Sequence, residues 1–327
     1  MSIVADSPGL PINGGIVVSG ASRAFGEIKA VSSATFTALP GTVTALIGPN
    51  GSGKTTLMLM LASLLKPDGG QIRIAGFDPI LETGEVRRRL GWMPDVLGSW
   101  ASLSVRATLE FTGRLYEFDR SKAAARAAEL MTIVGLADLA DSPTRVLSRG
   151  QKQRLSLARA LVHDPDVLLL DEPASGLDPV ARVQLRDTVR RMAAEGKTVL
   201  VSSHVLSELD EMADSAVYLE GGVTASAERV AAARIAPRPW RIRASDLAAL
   251  LSALDAAEVG TRTQDRNEVV VALSGEEEAS TLLATLVSAG VRISAFAPAL
   301  GELENTFMDL SGLIARPVAD SQNPAAS

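Results

Sequence analysis

The segment GPNGSGKTT, at positions 48 to 56, constrains the fold of this chain more than any other. It follows the apolar run Val43–Ile47 and precedes an apolar helical pattern that begins near Lys54. Glycine reaches backbone angles that other residues avoid, so a tight turn between a strand and a helix is one interpretation. The spacing from Gly48 to Thr55 also fits a P-loop, whose backbone N–H groups surround a polyphosphate. The segment therefore predicts a phosphate-binding turn in an α/β fold.

The P-loop pattern predicts a role for the lysine and for the hydroxyl residue that follows it. Lys54 would contact the β- and γ-phosphates, and the hydroxyl of Thr55 would ligate Mg²⁺. The helix that begins near Lys54 points the positive end of its dipole at the anion. The sequence therefore predicts phosphate and Mg²⁺ binding by Gly48, Pro49, Asn50, Gly51, Ser52, Gly53, Lys54, Thr55 and Thr56.

Composition and charge limit the class of protein. The 327 residues are 46% hydrophobic and 21% charged, which is typical of a soluble globular chain with room for two domains. The net charge of −6 gives no electrostatic attraction to nucleic acid, and the absence of cysteine excludes disulfides and thiolate metal sites. The first residues lack the pattern of a secretory signal, and the apolar segment Leu57–Leu65 is too short to span a bilayer. We expect a cytoplasmic protein that reaches a membrane only through a partner.

Residues 16–219 alternate between apolar strand patterns and helical patterns. Such alternation predicts a parallel sheet covered by helices. The run 167–170 is apolar at every position, as in a parallel strand that is buried on both faces. The predicted strands are Val43–Ile47, Val167–Leu170, Thr198–Ser202 and Ala216–Leu219. The predicted helices are Lys54–Leu65, Val105–Glu117, Lys122–Val134, Gly150–Val162 and Pro179–Ala194.

A second, smaller pattern follows the stretch Glu220–Pro239, which is rich in alanine and glycine and is interpreted as holding a linker. The order β-α-β-β-α-β is ferredoxin-like, an arrangement that serves many unrelated functions. Its predicted elements are Trp240–Arg243, Asp246–Ala256, a hairpin of Val259–Thr263 and Glu268–Leu273, Glu276–Ala289 and Val291–Phe296. The predicted domains are a flexible N-terminus at 1–15, a nucleotide-binding domain at 16–225, a linker at 226–239, an αβ accessory domain at 240–312 and a disordered tail at 313–327.

Two adjacent carboxylates end the apolar run 167–170. Asp171, at the tip of a predicted strand, is suited to hold Mg²⁺ through water. Glu172 points elsewhere and is the candidate general base for the water that attacks the γ-phosphate. The alternative is an ordinary strand that ends in acidic turn residues, but the P-loop upstream favours the catalytic interpretation.

The string LSRGQKQRLSLARAL, at 147–161, opens a helix upstream of this acidic pair. Ser148 is a good N-cap, and that alone is one interpretation. A helix N-terminus with a serine hydroxyl and a glycine is also an anion site. In this company the string resembles the signature of ATP-binding cassette (ABC) ATPases. The resemblance implies ATP and Mg²⁺ as cofactors and an α/β P-loop NTPase cassette, in which a parallel-sheet core carries an inserted helical subdomain and precedes the small α+β ferredoxin-like domain.

Further segments resemble the remaining family motifs. The tetrapeptide SGLD at 175–178 resembles the D-loop, and SSH at 202–204 resembles the switch region, where His204 would contact the γ-phosphate. Phe25 matches the aromatic residue that stacks on adenine, although a phenylalanine of the core is an alternative. His163 has no matching role and is interpreted as a loop residue. The resemblance thus implies catalysis by Glu172, His204 and Lys54, and nucleotide contacts that include Phe25, Ser148, Gly150, Gln151 and Asp178.

Cassettes of this family work as head-to-tail pairs, in which each nucleotide lies between the P-loop of one subunit and the signature helix of the other. The single copy of each motif implies a homodimer or pairing with a similar cassette. Two positions depart from the family pattern. Arg149-Gly150 stands where the signature commonly has Gly-Gly. Asp95 stands where the family usually has a glutamine or glutamate that contacts metal and water, and this shorter, charged side chain is expected to reach Mg²⁺ through a water.

The segment GELENTFMDL, at 301–310, resembles the ending of cassettes that serve ABC-2-type exporters. This resemblance implies an ATPase subunit that powers export through a separate membrane permease, at the inner face of the cell membrane. Residues 96–118 would lie where such a cassette contacts its permease. Trp100, Leu103 and Leu109 are candidate apolar contacts, with burial inside their own domain as the default alternative. One alternative is a soluble cassette ATPase of translation or DNA repair, which the single cassette and the acidic charge disfavour. Another is a weakly hydrolysing regulator, which the intact catalytic residues disfavour.

Overall fold

A computed structural model describes residues 15–96, 98, 100–265 and 268–311, with the backbone alone at 234, 235 and 261–265. The chain divides into two compact units, the first ending at Ala227 and the second beginning at Glu228. The predicted flexible N-terminus, apart from Gly15, and the predicted tail at 313–327 lie outside the described residues. No helix in the described ranges has the length and apolar character that crossing a membrane requires.

The first unit is a mixed α/β structure. Its strands are β1 Ile16–Phe25, β2 Ile28–Ala38, β3 Val43–Ile47, β4 Gly69–Ile74, β5 Leu90–Met93, β6 Val167–Asp171, β7 Thr198–Ser202, β8 Ser215–Glu220 and β9 Val223–Thr224. Its helices are α1 Lys54–Leu61, α2 Thr83–Arg89, α3 Val105–Leu115, α4 Arg120–Ile133, α5 Arg149–Leu161, α6 Pro179–Ala194 and α7 Leu206–Met212.

The strands of this unit form one nine-stranded sheet in the order β4-β1-β2-β9-β8-β3-β7-β6-β5. The neighbours from β8 to β5 pair in parallel, which confirms the predicted parallel core. Every residue of β3, β6 and β7 is buried, as expected where helices cover both faces of a sheet. Strands β1, β2 and β4 pair antiparallel at the other side of the sheet, and they are not among the predicted strands. Their alternating burial leaves no continuous apolar run to detect.

The predicted helical insertion lies between β5 and β6 and consists mainly of α3, α4 and α5. Each of these helices begins at a side chain that caps it. Ser104 accepts a hydrogen bond from the backbone N–H of Ala107, and Asp119 accepts one from Lys122. Ser148 and Gln151 form a reciprocal capping box at the start of α5. Helix α5 therefore has a firmly fixed first turn, at the position where the signature string begins.

Helix α1 is shorter than predicted. The sequence pattern extends it to Leu65, whereas the helix ends at Leu61. The backbone of Ser63 turns to a φ of +59°, and the N–H groups of Leu64 and Leu65 both bond to the carbonyl of Leu59. The apolar residues that continue past this turn mislead a prediction from hydrophobicity alone, because they remain apolar after the backbone has left the helix.

The second unit contains an antiparallel four-stranded sheet in the order β11-β12-β10-β13. Its elements, after helix α8 (Ala227–Ile235) at the boundary, are β10 Arg238–Ala244, α9 Leu247–Ala256, β11 Thr261–Asp265, β12 Glu268–Leu273, α10 Glu276–Ser288, β13 Ile293–Pro298 and α11 Glu302–Leu310. The β-α-β-β-α-β order and this strand arrangement are those of the predicted ferredoxin-like fold. Helix α8 lies in the stretch interpreted as a linker, to which the sequence analysis assigned no secondary structure. The alanine-rich segment AERVAAAR explains the helix, because alanine and arginine are strong helix formers.

Candidate nucleotide site

The turn between β3 and α1 has a shape that only glycine allows at two of its positions. A Cβ atom on Gly48 would lie 2.2 Å from the carbonyl oxygen of Leu219. Gly53 has a φ of +102°, and a Cβ atom there would lie 2.2 Å from the carbonyl oxygen of Ala30. The backbone of the loop therefore passes close to two other segments and continues directly into the N-terminus of α1. A glycine-rich loop that leads directly into a helix N-terminus is suited to binding phosphate.

Lys54, the first residue of α1, is held against this loop. Its Nζ donates hydrogen bonds to the carbonyl oxygens of Gly48 at 2.7 Å and Pro49 at 3.0 Å. Burial lowers the pKa of Lys54, and the nearby carboxylates of Glu172 and Asp171 oppose that shift. The structure thus brings the lysine and the acidic pair into one electrostatic cluster, as the two motifs predict.

Asp171 ends β6 and is buried. One of its carboxylate oxygens accepts a hydrogen bond of 2.6 Å from the hydroxyl of Ser202, which ends the neighbouring strand β7. The pKa of Asp171 is raised, first by burial and then by the negative charges of Glu172 and Asp95. Asp95 is therefore near enough to influence Asp171, although it lies on the exposed segment after β5.

Glu172 has an unusual backbone conformation, with a φ of +51°. The left-handed conformation costs a non-glycine residue about 1–2 kcal/mol of conformational free energy relative to the ordinary regions. Its N–H donates to both the hydroxyl and the carbonyl oxygen of Ser202, at 3.1 and 3.2 Å, and its carbonyl oxygen accepts from Nε2 of Gln153 at 2.8 Å. The two peptide units that flank the Cα atom of Glu172 are thus both held by hydrogen bonds.

The side chain of Glu172 contacts His204, the residue that the sequence predicts as the switch histidine. Its Oε2 lies 2.6 Å from Nδ1 of His204 and also accepts the backbone N–H of His204 at 3.3 Å. The side chain of His204 is 62% exposed, so the imidazole is open to a bound ligand. The three carboxyl ends of β3, β6 and β7 therefore bring together Lys54, Asp171, Glu172 and His204 at one edge of the sheet.

The signature residues lie at the start of α5, next to the loop after Glu172. Ser148 accepts the N–H of Gln151 at 3.2 Å, and Oε1 of Gln151 accepts the N–H of Ser148 at 2.8 Å. A Cβ atom on Gly150 would lie 3.3 Å from the side chain of Leu177, so this glycine sits close to the predicted D-loop. Within this chain Ser148 and Gln151 form a helix cap, and the D-loop lies directly beside them.

Two further predicted residues have clear positions. Asp178 caps α6, because its Oδ1 accepts the N–H of Ala181 at 2.9 Å. Phe25 ends β1 and is 49% exposed, with the guanidinium of Arg23 at 5.0 Å from its ring centroid. Its exposure excludes the alternative that it belongs to the core. The ring is thus accessible for stacking.

His163 is more than a loop residue. Its Nε2 lies 3.1 Å from the carbonyl oxygen of Leu90, and its ring stacks on Tyr116 at 3.8 Å between centroids. Burial lowers its pKa to about 4, so the imidazole is neutral at pH 7. The histidine fastens the end of the helical insertion to the start of β5.

Two residues of the site are missing from the sequence-based set. Ser202 bridges Asp171 and Glu172, and Gln153 bonds to the backbone of Glu172. The sequence signal for Ser202 is its place in the SSH segment at the end of an apolar strand, but its position opposite Asp171 is known only from the strand register. Gln153 carries a weaker signal, a polar residue on the buried face of an amphipathic helix.

The donors suited to a metal are few and are all oxygen atoms. The described residues contain no group of three or more His, Cys, Asp and Glu side chains that could enclose an ion. The predicted metal residues are Thr55, Asp171 and Asp95, a hydroxyl and two carboxylates. Such a sparse oxygen set suits Mg²⁺, which keeps several waters and takes one or two carboxylates together with phosphate oxygens.

Comparisons with known proteins agree with this geometry. The sequence model of the family described as ABC transporter matches residues 31–175. DrrA, the daunorubicin/doxorubicin resistance ATP-binding protein of Streptomyces peucetius, is 32% identical over 308 residues, which are 91% of this chain and 92% of DrrA. DrrA3, the daunorubicin resistance ATP-binding protein of Streptomyces coeruleorubidus, is 40% identical over 63% of this chain and 66% of its own length. NatA, an ABC transporter ATP-binding protein of Bacillus subtilis, is 35% identical over 63% of this chain and 86% of its own length.

Solved structures extend the likeness to three dimensions. The ATP-binding subunit of an ABC transporter superposes with a TM-score of 0.61 at 26% identity, covering 66% of this chain and 91% of that one. A bacterial ABC transporter cassette solved as a dimer gives a TM-score of 0.60 at 25% identity, covering 64% of this chain and 96% of that one.

Proposed function

The chain is an ATP-binding and ATP-hydrolysing member of the ABC transporter family, and from this premise we propose that it powers export through a separate membrane permease. The observation that carries the proposal is the convergence of Lys54, Asp171, Glu172 and His204 at the carboxyl ends of three adjacent parallel strands. The relatives named for drug resistance favour an exporter over a soluble cassette.

We assign Glu172 as the general base of hydrolysis. Its carboxylate is fixed by His204 and lies near the ammonium of Lys54, which would neutralise the β- and γ-phosphates. A water that attacks the γ-phosphate would lose its proton to Glu172. His204, which already donates to that carboxylate, would contact the γ-phosphate and keep the base pointed at the water.

The oxygen donors fit Mg²⁺ as the partner of the nucleotide. Thr55 and Asp171 would hold the ion, and Asp95 would reach it through water. When bound, Mg²⁺ offsets charge on the phosphate oxygens and orients them for attack. The buried carboxylate of Asp171 is kept in place by Ser202, so its position does not depend on the ion.

We propose further that the site is completed by a second cassette. The signature residues Ser148, Gly150 and Gln151 bond and pack within their own helix and the adjacent loop, and would meet the nucleotide of the opposite subunit. Because the chain carries one copy of each motif, a complete site would form in a homodimer or in a pair with a similar cassette. The hydrolysis rate per molecule would then rise with protein concentration, whereas that of a monomeric enzyme is constant.

The permease would contact the helical insertion through an apolar surface formed by Trp100, Phe111 and Leu115. Trp100 is 40% exposed and meets Phe111 edge-on at 5.2 Å between ring centroids. Leu115 follows Phe111 by four residues on α3, so both lie on one helix face, and it is 63% exposed. Leu109, a candidate contact in the sequence analysis, is buried and is therefore excluded from this surface.

The proposal is tested by co-expressing the chain with a candidate permease, chosen from membrane proteins whose genes lie near its own. We expect the two to purify together from detergent-solubilised membranes and to show Mg²⁺-dependent ATPase activity that Glu172→Gln removes. Phe111→Asp should weaken co-purification while the isolated chain keeps its ATP affinity. Failure of the wild-type chain to hydrolyse ATP in either setting would contradict the proposed function.

A further inference from the structure

The first turns of α5 contact the loop 172–178 at more than one point. Nε2 of Gln153 donates to the carbonyl oxygen of Glu172 at 2.8 Å. One turn earlier, Nη2 of Arg149 donates to the hydroxyl of Ser175 at 2.8 Å. The arginine also packs over Gly176, where a Cβ atom would lie 2.6 Å from its Cδ. The helix and the loop are therefore joined by two side-chain hydrogen bonds and a close packing contact.

The bond from Gln153 is well placed to control the backbone of Glu172. Gln153 is only 2% exposed, so water does not compete for its amide. Its acceptor belongs to the one residue of the loop that combines a left-handed backbone with a candidate catalytic carboxylate. Ser202 holds the N–H side of Glu172, and Gln153 holds the carbonyl side. Removal of either bond would free the backbone to leave the left-handed region.

The bond from Arg149 needs a side chain that the common Gly-Gly form of the signature lacks. The ABC signature commonly has glycine at this position, and glycine offers no side chain to reach the D-loop. Ser175 lies three residues after Glu172, so the arginine fixes the loop at a second point. Gly176 has a φ of +75° and leaves the space that the arginine stem fills. The arginine side chain fits at this position because residue 176 has no side chain to occupy the same space.

We propose that Gln153 is a positioning residue for Glu172 and that Arg149 is a second anchor of the same loop. The inference rests on the proposed function, because it needs Glu172 to act as the base. It goes beyond that function in assigning α5 a role within its own subunit. The helix that carries the signature also sets the aim of the catalytic carboxylate beside it, so a displacement of α5 would change hydrolysis at the nucleotide of its own P-loop.

The main test replaces Gln153 by methionine, which has a similar length but no donor. Since a misplaced catalytic group loses about 10- to 100-fold in rate, we expect kcat of Gln153→Met to fall by that factor. The affinity for ATP should stay within about twofold, because none of the groups that bind phosphate is changed. Gln153→Asn keeps the amide on a shorter stem and serves as a second variant of the same bond. Unchanged kcat in both folded variants would overturn the proposal.

A matched control removes a buried hydrogen bond of the same subdomain away from the loop. The hydroxyl of Thr112 donates to the carbonyl oxygen of Thr108 at 2.8 Å inside α3. Thr112→Val should lower the melting temperature while kcat remains that of the wild type. A fall in kcat equal to that of Gln153→Met would show that general loosening of the fold explains the effect, and the proposal would be wrong.

A double-mutant cycle separates this inference from the proposed function. Gln153→Met should cost little further activity in a Glu172→Gln background, because the base on which it acts is already absent. Equal losses in both backgrounds would overturn the positioning role. Full turnover by Glu172→Gln alone would instead overturn the assignment of the base, whatever Gln153 does.

The second anchor is tested with Arg149→Gly and Ser175→Ala. A single hydrogen bond contributes about 1 kcal/mol, so each variant should lower kcat about fivefold, and the double variant no more than either alone. Arg149→Lys keeps a cation that can reach the hydroxyl and should restore part of the rate. Additive losses, or no loss from Ser175→Ala, would remove Arg149 from the proposal.

Discussion

The two units of this protein contain β-sheets of different kinds, parallel at the core of the first and antiparallel in the second. The difference determines where functional polar residues stand out from the sequence. In the first unit, β6 reads VLLLD and is buried along its whole length. In the second, β12 reads EVVVAL and alternates between half-buried and buried positions. A parallel sheet covered on both faces leaves only its strand ends to present polar groups, and here those ends carry the site.

Buried polar residues occur in both units, but those that bond to the candidate catalytic loop lie in the first. Asp171, Ser202 and Gln153 are buried in the first unit and all bond to the catalytic loop or its strand. In the second unit the described buried polar residues are Asn305 and Thr306 on α11, whose side chains donate to the carbonyl oxygens of Leu300 and Glu302. Burying a polar group is unfavourable unless it is hydrogen-bonded, and in the first unit such bonds hold groups of the candidate site. The comparison supports ATP chemistry in the first unit, and we propose an accessory role for the second.

The largest test of this comparison is Glu172→Gln. Loss of a general base lowers turnover by about 10²- to 10⁴-fold, while the amide leaves ATP binding intact. The variant should therefore accumulate as an ATP-bound dimer, visible by size-exclusion chromatography. Glu277→Gln, on α10 of the second unit, is the control and should hydrolyse ATP as the wild type does. Wild-type turnover in Glu172→Gln would show that this residue is not the base.

Lys54→Ala should weaken ATP binding about 100-fold or more, because charge-assisted hydrogen bonds to phosphate contribute about 1.5–3 kcal/mol each. A nucleotide titration followed by fluorescence or calorimetry measures the change. Lys122→Ala removes a lysine of the helical insertion and should bind ATP normally. Unchanged affinity in Lys54→Ala would contradict the P-loop assignment.

Acid should destabilise the first unit through the buried His163. The pKa of His163 is about 4 in the folded state, below its ordinary value of 6.5. As pH falls from 6.5 toward 4 the unfolded chain takes up this proton and the folded chain does not. The equilibrium constant for unfolding should therefore rise by up to about tenfold per pH unit, and the rise should end below pH 4. His163→Asn should reduce this dependence in urea titrations, and an unchanged pH profile would exclude His163 as its source.

Asp95→Gln tests the departure of this chain from its family. An exposed charge contributes about 0.2–1 kcal/mol, so removing the negative charge beside Asp171 should raise turnover about two- to fivefold and shift the Mg²⁺ requirement. Rates measured over a series of Mg²⁺ concentrations report both effects. A fall in activity would identify Asp95 as an adapted ligand, and no change would place it outside the site.

The smallest effect on nucleotide binding is expected from removing the second unit. A fragment ending at Ser226 should bind ATP with the affinity of the full chain, because every residue assigned to ATP chemistry precedes that point. It should lose assembly or regulation, which size-exclusion chromatography and ATPase assays with the permease would detect. Circular dichroism decides the alternative, since an unfolded or aggregated fragment would show that α11 is needed to complete the core of the cassette.

Much of the fold could be predicted because its strongest patterns are local. The bounds of β7 and α6 agree with the prediction at both ends. Proline at the first position of α6 and the Asp178 cap before it mark that helix clearly. Strands β1 and β2 were not predicted because their sequences show no clear apolar pattern. Their extended conformation depends on pairing with each other and with β4. Intrinsic strand propensity does not reveal which segments will pair.

The site divides in the same way. Lys54, Asp171 and Glu172 belong to continuous motifs, so a sequence reveals them. Ser202 and Gln153 acquire their importance only when β7 lies beside β6 and α5 packs across the loop. Their contacts join residues that are far apart in the chain, and only the folded structure brings them together.

Helix α5 has one further consequence, for how this protein tolerates changes in length. Its first turn lies beside Glu172, whereas the residues after its last turn bond to Leu90 at the start of β5. Insertion of one residue within α5 would rotate and shift one end against the other by about 100° and 1.5 Å. Helix α5 should therefore keep a constant number of residues during divergence.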